Sequence, residues 1–286
     1  MNERKIDLHM HSTCSDGSDT PEALLQRVRE AGITLFALTD HDTYRGYALL
    51  HGLLRDGDPR MLTGVEFSCR DEDGKYHILG YRFNPDHPAI REVVEAGHRL
   101  RMQKVRTRLE RLASELHVVF PEEEIRALLA LDNPGKPHIG NLMVKYGYAQ
   151  TKEQAITEQI NKLHVSSGYI RPEQAIRGIL GAGGIPVLAH PILGSGDELI
   201  LGEKLDGRIR RLMDAGLQGL ECFYSGFTPR MRREALALAE RYDLLVTAGS
   251  DYHGTNKLVD LGDTKLDRAR EIPEGLRRFL AETATA

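Results

Sequence analysis

The chain has 286 residues, 41% of them hydrophobic and 28% charged, the balance of a globular protein long enough to bury a large core. Its formal net charge of −4 gives no general attraction for nucleic acid, so any polyanion site has to be a local basic patch. Three cysteines, Cys14, Cys69 and Cys222, are odd in number and far apart, which argues against a disulfide framework and suits a reducing compartment.

The opening "MNERKIDLHM" lacks the apolar run of a signal peptide, and no apolar stretch reaches membrane-spanning length. A cytoplasmic protein with no membrane partner is expected. "KIDLHMH" reads as the first strand. The helix "TPEALLQRVREAG" follows, with Thr20 as its cap, Pro21 at the first helical position and Gly32 closing it. "TLFALTD", "MLTGVEFS" and "KYHILGYRF" read as further strands. From about residue 88 to about 169 only helical patterns occur: "IREVVEAGHRLRMQKVRTRLERLASEL", "PEEEIRALLAL", "PHIGNLMVKYGY" and "TKEQAITEQINKL". Alternation resumes with "IPVLAHP", "LQGLECF", the helix "TPRMRREALALAERYD" opened by Thr228 and Pro229, and "LLVTAGSD". Strands alternating with helices of this length predict α/β architecture, with βα units in a parallel sheet or barrel. The helical block predicts an inserted cap over 88–169, the barrel being formed by 1–87 and 170–286.

Six of the twelve histidines fall at or near predicted strand ends: His9, His11, His41, His77, His190 and His253. Asp16, Asp40, Asp42, Glu66 and Asp251 lie beside them. The C-terminal ends of parallel barrel strands converge on one mouth, and strand alternation sends His9 and His11 to the same face. Clustered buried carboxylates are costly unless cations compensate them, and divalent ions do so. Imidazole with carboxylate suits Mn, Fe or Zn, and the donors outnumber what one ion takes, implying two or three ions. Cys14 and Cys69 complete none of these patterns and read as packing residues. His51, His87, His98, His117 and His164 read as ordinary core or surface residues.

Taken in order, "DLHMHSTCSDG", "TDHD", "GVEFS", "HILGY", "LAHP" and "GSDYH" resemble the PHP (polymerase and histidinol phosphatase) family of metal-dependent phosphoesterases. The resemblance implies a distorted seven-stranded (β/α)7 barrel with a trinuclear site, Mn2+ being the expected ion and Fe2+ or Zn2+ the alternatives. It implies that His9, His11, Glu66 and Asp251 hold one ion. Glu66 would bridge to a second held by His77 and His190, and Asp16, His41 and His253 would hold the third. Asp16 stands where other members have histidine. Asp40 is left to orient a histidine from behind. His190, Asp251 and His253 are the candidates for the catalytic step, and His190, His253 or a metal-bound water is expected to protonate the leaving alkoxide.

In "RLRMQKVRTRLERLASEL", Val105, Leu109, Leu112 and Leu116 form an apolar stripe, and Arg101, Lys104, Arg108 and Arg111 form a basic one. "GKPHI" places Lys136 and His138 at a helix start, where anions are favoured. It resembles the "RPHI" element of a family branch acting on nucleotides. Arg101, Lys136 and His138 are therefore the candidates for a second phosphate, with Tyr169, Phe223 or Tyr224 for a base. The expected substrate is a nucleoside 3′,5′-bisphosphate losing its 3′-phosphate. Short RNA cleaved by a 5′→3′ exoribonuclease is the second class, and no long nucleic acid is expected. Histidinol phosphatase, an amidohydrolase and a metal-binding module without turnover rank lower.

Overall fold

The computed structural model describes residues 5–163, 165, 168–194 and 199–284. Its elements are, in order, β1 (Ile6–Asp7), α1 (Pro21–Glu30), β2 (Leu35–Ala37), α2 (Arg45–His51), β3 (Arg60–Leu62), β4 (Gly64–Asp71) and β5 (Gly74–Tyr81). The helices α3 (Pro88–Leu116), α4 (Glu122–Leu129), α5 (Lys136–Lys145), α6 (Lys152–Gln154) and α7 (Pro172–Gly181) follow. The chain ends with β6 (Ile185–Leu188), α8 (Gly202–Asp214), β7 (Gly219–Tyr224), α9 (Pro229–Arg241), β8 (Leu245–Gly249) and α10 (Glu274–Ala284). The helix starts follow from their caps. Thr20 Oγ1 accepts from the Ala23 N–H (3.2 Å) and Thr228 Oγ1 from the Met231 N–H (3.3 Å), each with proline next in the chain.

One sheet has the order β1-β2-β3, all parallel; the other has the order β4-β5-β6-β7-β8. Within the second sheet β6, β7 and β8 are parallel, but β5 runs antiparallel to both its neighbours. The expected parallel alternation fails here for a local reason. Asp71 pairs with Gly74 across a two-residue turn, Gly74 has φ +118°, and Asp71 Oδ1 accepts from the Asp73 N–H. A turn this short permits only a hairpin.

Backbone bonds join the two sheets at both edges. Leu8 N–H donates to Ala248 O (2.9 Å) and Asp251 N–H to His9 O (2.7 Å); Asp42 N–H donates to Glu66 O (2.9 Å) and Glu66 N–H to Asp40 O (3.2 Å). Both junctions bring chemistry-bearing residues together, because His9, Asp251, Asp42 and Glu66 lie on them.

A large apolar cluster fills the space between the strands and helices α7 to α10, and the first turns of α3 join it through Ile90, Val93 and Val94. Further along α3 a separate cluster begins, in which Val105, Leu109 and Leu112 pack against Phe120, Leu128, Ile139 and Met143. Leu116, expected in that stripe, is 41% exposed, since α3 ends there and His117 turns the chain left-handed (φ +55°). All three cysteines are buried free thiols. No helix among the described residues is long and apolar enough to cross a membrane.

The junction of β1 with β8 is close enough to demand a glycine. A Cβ on Gly249 would lie 2.2 Å from His9 Cβ and 2.5 Å from Glu221 Oε1. Gly249→Ala is therefore expected to destabilise the fold by about 1–3 kcal/mol, as overpacking does. Urea unfolding measures this, and an unchanged midpoint would show that the two strands can part freely.

Candidate metal centre

His9 and His11 follow β1 in extended backbone, and both are fully buried. His9 Nε2 lies 3.3 Å from Glu66 Oε1 and 3.4 Å from Asp251 Oδ1; His11 Nε2 lies 3.2 Å from Glu66 Oε2 and 3.3 Å from Asp251 Oδ1. Glu66, on β4, also has His41 Nδ1 at 3.1 Å, His77 Nδ1 at 2.8 Å and His190 Nε2 at 3.5 Å. Asp16 faces His253 Nε2 at 3.3 Å, His11 Nδ1 at 3.8 Å and His41 Nε2 at 3.9 Å. All nine expected ligands thus meet at one place. Three overlapping groups have donor atoms close enough to share an ion: His9, His11 and Asp251; His41, Glu66 and His77; His11, Asp16, His41 and His253.

The donors fit divalent ions by a simple test. His9 Nε2, His11 Nε2, Asp16 Oδ1, His41 Nδ1 and Glu66 Oε1 are buried and have no hydrogen-bond partner. Orphaned polar atoms of that kind are costly, and five together are explained by cations that they would coordinate. Charge balance agrees. Burial disfavours charge on His9 and His11, yet Glu221, Glu66 and Asp251 hold His9 well above the imidazole range, and Asp251 and Glu66 push His11 up to about 9. Burial would raise Asp16, Glu66 and Asp251, but the surrounding imidazoles, with Lys257 at Asp251, pull all three well below the carboxylate range. Metal ions bring the positive charge that those protons otherwise supply, so ion uptake releases protons.

The supporting residues fix which nitrogen faces inward. His9 Nδ1–H donates to Glu221 Oε1 (2.9 Å), His190 Nδ1–H to Leu193 O (2.8 Å) and His253 Nδ1–H to Asp251 O (3.0 Å). Each leaves Nε2 for the centre. Glu221 is fully buried and its other oxygen accepts from the His190 N–H (2.8 Å). Sequence reasoning missed it, although an acid inside the apolar strand "LQGLECF" was the available signal. Lys257 was missed, and Tyr224 was expected at a base instead: both bond Asp251 Oδ2, Tyr224 at 2.9 Å, leaving Oδ1 turned to the histidines. Tyr224 and Phe223 are buried, so neither is available to stack on a base. Asp40 touches no histidine directly. It accepts from Ser12 N–H (2.8 Å), Ser12 Oγ (2.8 Å) and Ser15 Oγ (2.7 Å), reaching His11 only through Ser15. His164 lies outside the described residues.

A cleft of about 380 Å³ runs from Asp16, His41 and His77 to cations on α3, β5 and α5. Arg101 lines it but is bonded to Asp42 Oδ2 (3.0 and 2.8 Å) and Ser68 Oγ (3.0 Å). Lys104, Arg108 and Lys136 also line it, as does Lys75, a cation the sequence reading passed over. Arg111 turns away to Glu115 (2.7 Å). Tyr169 lines the cleft with Lys104 Nζ 3.1 Å from its ring centroid, so that cation covers one face. His138 serves the helix instead: its Nδ1 accepts from the Gly135 N–H (3.0 Å) at the start of α5. Burial and the positive neighbours Arg101 and Arg108 push Lys104 down to about 7, against Asp42; burial with Arg108 and Lys75 pushes Lys136 down to about 8.

Comparison with known proteins agrees with this picture. A phosphoribosyl 1,2-cyclic phosphate 1,2-diphosphodiesterase from Eggerthella lenta is 31% identical over 254 residues, 87% of this chain and 94% of the relative. A 5′-3′ exoribonuclease from Salmonella typhimurium is 30% identical, covering 90% of this chain and 87% of the relative. A 3′,5′-nucleoside bisphosphate phosphatase from Chromobacterium violaceum is 30% identical, covering 87% of each. The solved structure of a candidate metal-dependent phosphoesterase from Bifidobacterium adolescentis superposes with a TM-score of 0.82 at 27% identity, over 96% of this chain and 95% of that one. The family model for the PHP domain matches residues 7–170, from β1 through the helical block, and the chain belongs to the PHP domain family.

Proposed function

We propose that this chain, a metal-dependent phosphoesterase of the PHP family, removes the 3′-phosphate of nucleoside 3′,5′-bisphosphates to give a 5′-mononucleotide and phosphate. The observation that carries this reading is the cleft, which joins a histidine–carboxylate cluster at one end to unpaired cations at the other. A substrate with two separated phosphates matches both ends. The Chromobacterium violaceum relative bears that activity in its name. In this reading the two sheets work as one distorted (β/α)7 barrel of residues 1–87 and 170–286, with 88–169 as its helical cap. The ions are manganese, with iron or zinc as alternatives, and the unpaired thiols suit the cytoplasm.

Bound divalent ions supply a nucleophile at neutral pH and neutralise the non-bridging phosphoryl oxygens. His9, His11, Glu66 and Asp251 would hold one ion. Glu66 would be shared with a second, completed by His77 and His190, and Asp16, His41 and His253 would hold the third. Lys257 and Tyr224 keep Asp251 to a single donor oxygen. His190 and His253 tie Nδ1–H to carbonyls, which turns the lone pair of each Nε2 inward, so in this reading Nε2 would serve as a metal donor and not as the proton source for the leaving 3′-oxygen. Lys136 and Lys104 hold the distal phosphate, while Arg101 sets the position of α3 beside it.

The second reading is a 5′→3′ exoribonuclease on short RNA, favoured by the Salmonella typhimurium relative. A following nucleotide would lie beyond the cluster, in the cleft lined by Arg27, Lys257 and Lys265. Each of those cations already has an acid, Asp19, Asp251 and Asp263 respectively, so that side offers little to another phosphate.

Phosphate release from adenosine 3′,5′-bisphosphate with Mn2+ supplied tests the reading; an equal or higher kcat/KM on adenosine 3′-monophosphate would defeat it. Glu66→Ala is expected to lose more than one equivalent of metal by mass spectrometry. Its turnover should fall beyond the ~10–100-fold typical of supporting residues. Full metal content in that variant refutes a shared ligand. A pH profile examines the cations. Lys104 is charged below about 7 and loses that charge as pH rises through it, so KM for the bisphosphate should climb between pH 7 and 9. In Lys104→Gln, KM should be higher at pH 6.5, with its rise displaced towards 8, where Lys136 titrates. Superimposable profiles would remove Lys104 from the site.

A further inference from the structure

We infer that the distal half of the cleft is built for more than one phosphate, so that nucleoside 3′-phosphates carrying a 5′-diphosphate are bound in preference to those with a 5′-monophosphate. This rests on the function proposed above and extends it to the substrate's far end.

Four cations there lack an acid. Arg101 is neutralised by Asp42, but among the described residues Lys75, Lys104 and Arg108 form no ion pair. Lys136 Nζ reaches only the neutral amide oxygen of Asn161. A 5′-monophosphate carries at most about two negative charges and would leave part of this charge unmatched. A second phosphate supplies the balance.

The layout is extended as well as charged. Arg101, Lys104 and Arg108 follow one face of α3 at spacings of three and four, spanning about 10 Å of helix axis. Asp16 and Glu66 act on the Arg101 end. Arg108 and Lys136 instead have cations or Tyr169 for neighbours. The cationic face thus continues well past the point that a phosphate next to Arg101 would occupy. Tyr169 sits among these groups, with Lys104 Nζ at 3.1 Å and Lys75 Nζ at 5.5 Å from its ring centroid. Its π-face takes part of the role that an anion would play. Burial first, and then the positive neighbours Arg101 and Arg108 at Lys104 and Arg108 and Lys75 at Lys136, push both lysines down.

Calorimetry with AMP and ADP tests this without turnover, since neither has a 3′-phosphate to lose. The enzyme is loaded with Mn2+ and freed of excess ion, so that ADP does not sequester metal from solution. ADP is expected to bind about tenfold or more tightly than AMP, a difference of about 1.4 kcal/mol. Arg108→Gln and Lys75→Gln should each remove most of that advantage while AMP affinity falls less. Equal affinities for AMP and ADP overturn the inference, and so does an ADP preference that survives in both variants, because the ions would then be its source. Failure of the bisphosphate to release phosphate would instead count against the proposed reaction, leaving the AMP and ADP comparison intact.

Discussion

The carboxylate of Glu66 is the constraint around which the structure is arranged. It is 1% exposed, and five imidazoles, from His9, His11, His41, His77 and His190, approach its two oxygens within 3.5 Å. An ionised carboxylate in such a place costs several kcal/mol unless positive charge surrounds it. The histidines come from the ends of β1, β2 and β6 and from within β5, so the sheet junctions that bring those strands together also assemble the charge balance. A fold that let either junction open would leave the acid uncompensated. Cohesion of the strands and competence to hold ions are therefore one property.

That geometry is held against local backbone preference. Asp42 (φ +54°), His190 (φ +28°) and Asp251 (φ +59°) all adopt conformations that side chains disfavour, typically at ~1–3 kcal/mol each. Each is secured by a specific bond. Arg101 and the Ser68 N–H bind the Asp42 carboxylate, Glu221 accepts from the His190 N–H, and Lys257 with Tyr224 grips Asp251. The supporting shell thus does two jobs, selecting the inward nitrogen of His9 and restraining backbone that would otherwise relax.

Much of the centre was legible because its donors sit beside strands, where period-two alternation and converging strand ends make neighbours of distant residues. His9 with His11, and the acids in "TDHD", "GVEFS" and "GSDYH", could be gathered on that logic alone. What escaped depends on three-dimensional detail. The β4–β5 hairpin replaced a crossover because a two-residue turn outweighed the alternating pattern. Glu221 looked like an ordinary strand residue, since a period-two reading gives its face but not the imidazole that meets it from the neighbouring sheet. Phe223 and Tyr224 fell within a strand whose every residue is buried, which a search for stacking rings does not anticipate. His138 has the chemistry for an anion, yet its own helix start claims the ring nitrogen first.

The helical block and the strands meet through polar bonds that end at the candidate metal centre. Asn133 Nδ2–H donates to His41 O (2.7 Å) while its Oδ1 pairs with His98 (3.1 Å), and Arg101 crosses from α3 to Asp42 and Ser68. His41 and Asp42 are therefore tied to the helical block, so a shift of α3 would be felt at an imidazole of the candidate centre. The same helix carries Lys104 and Arg108, which form no ion pair among the described residues. Arg101 and Asn133 thus join the cation-bearing helix to the stretch holding His41 and Asp42 through hydrogen bonds already formed.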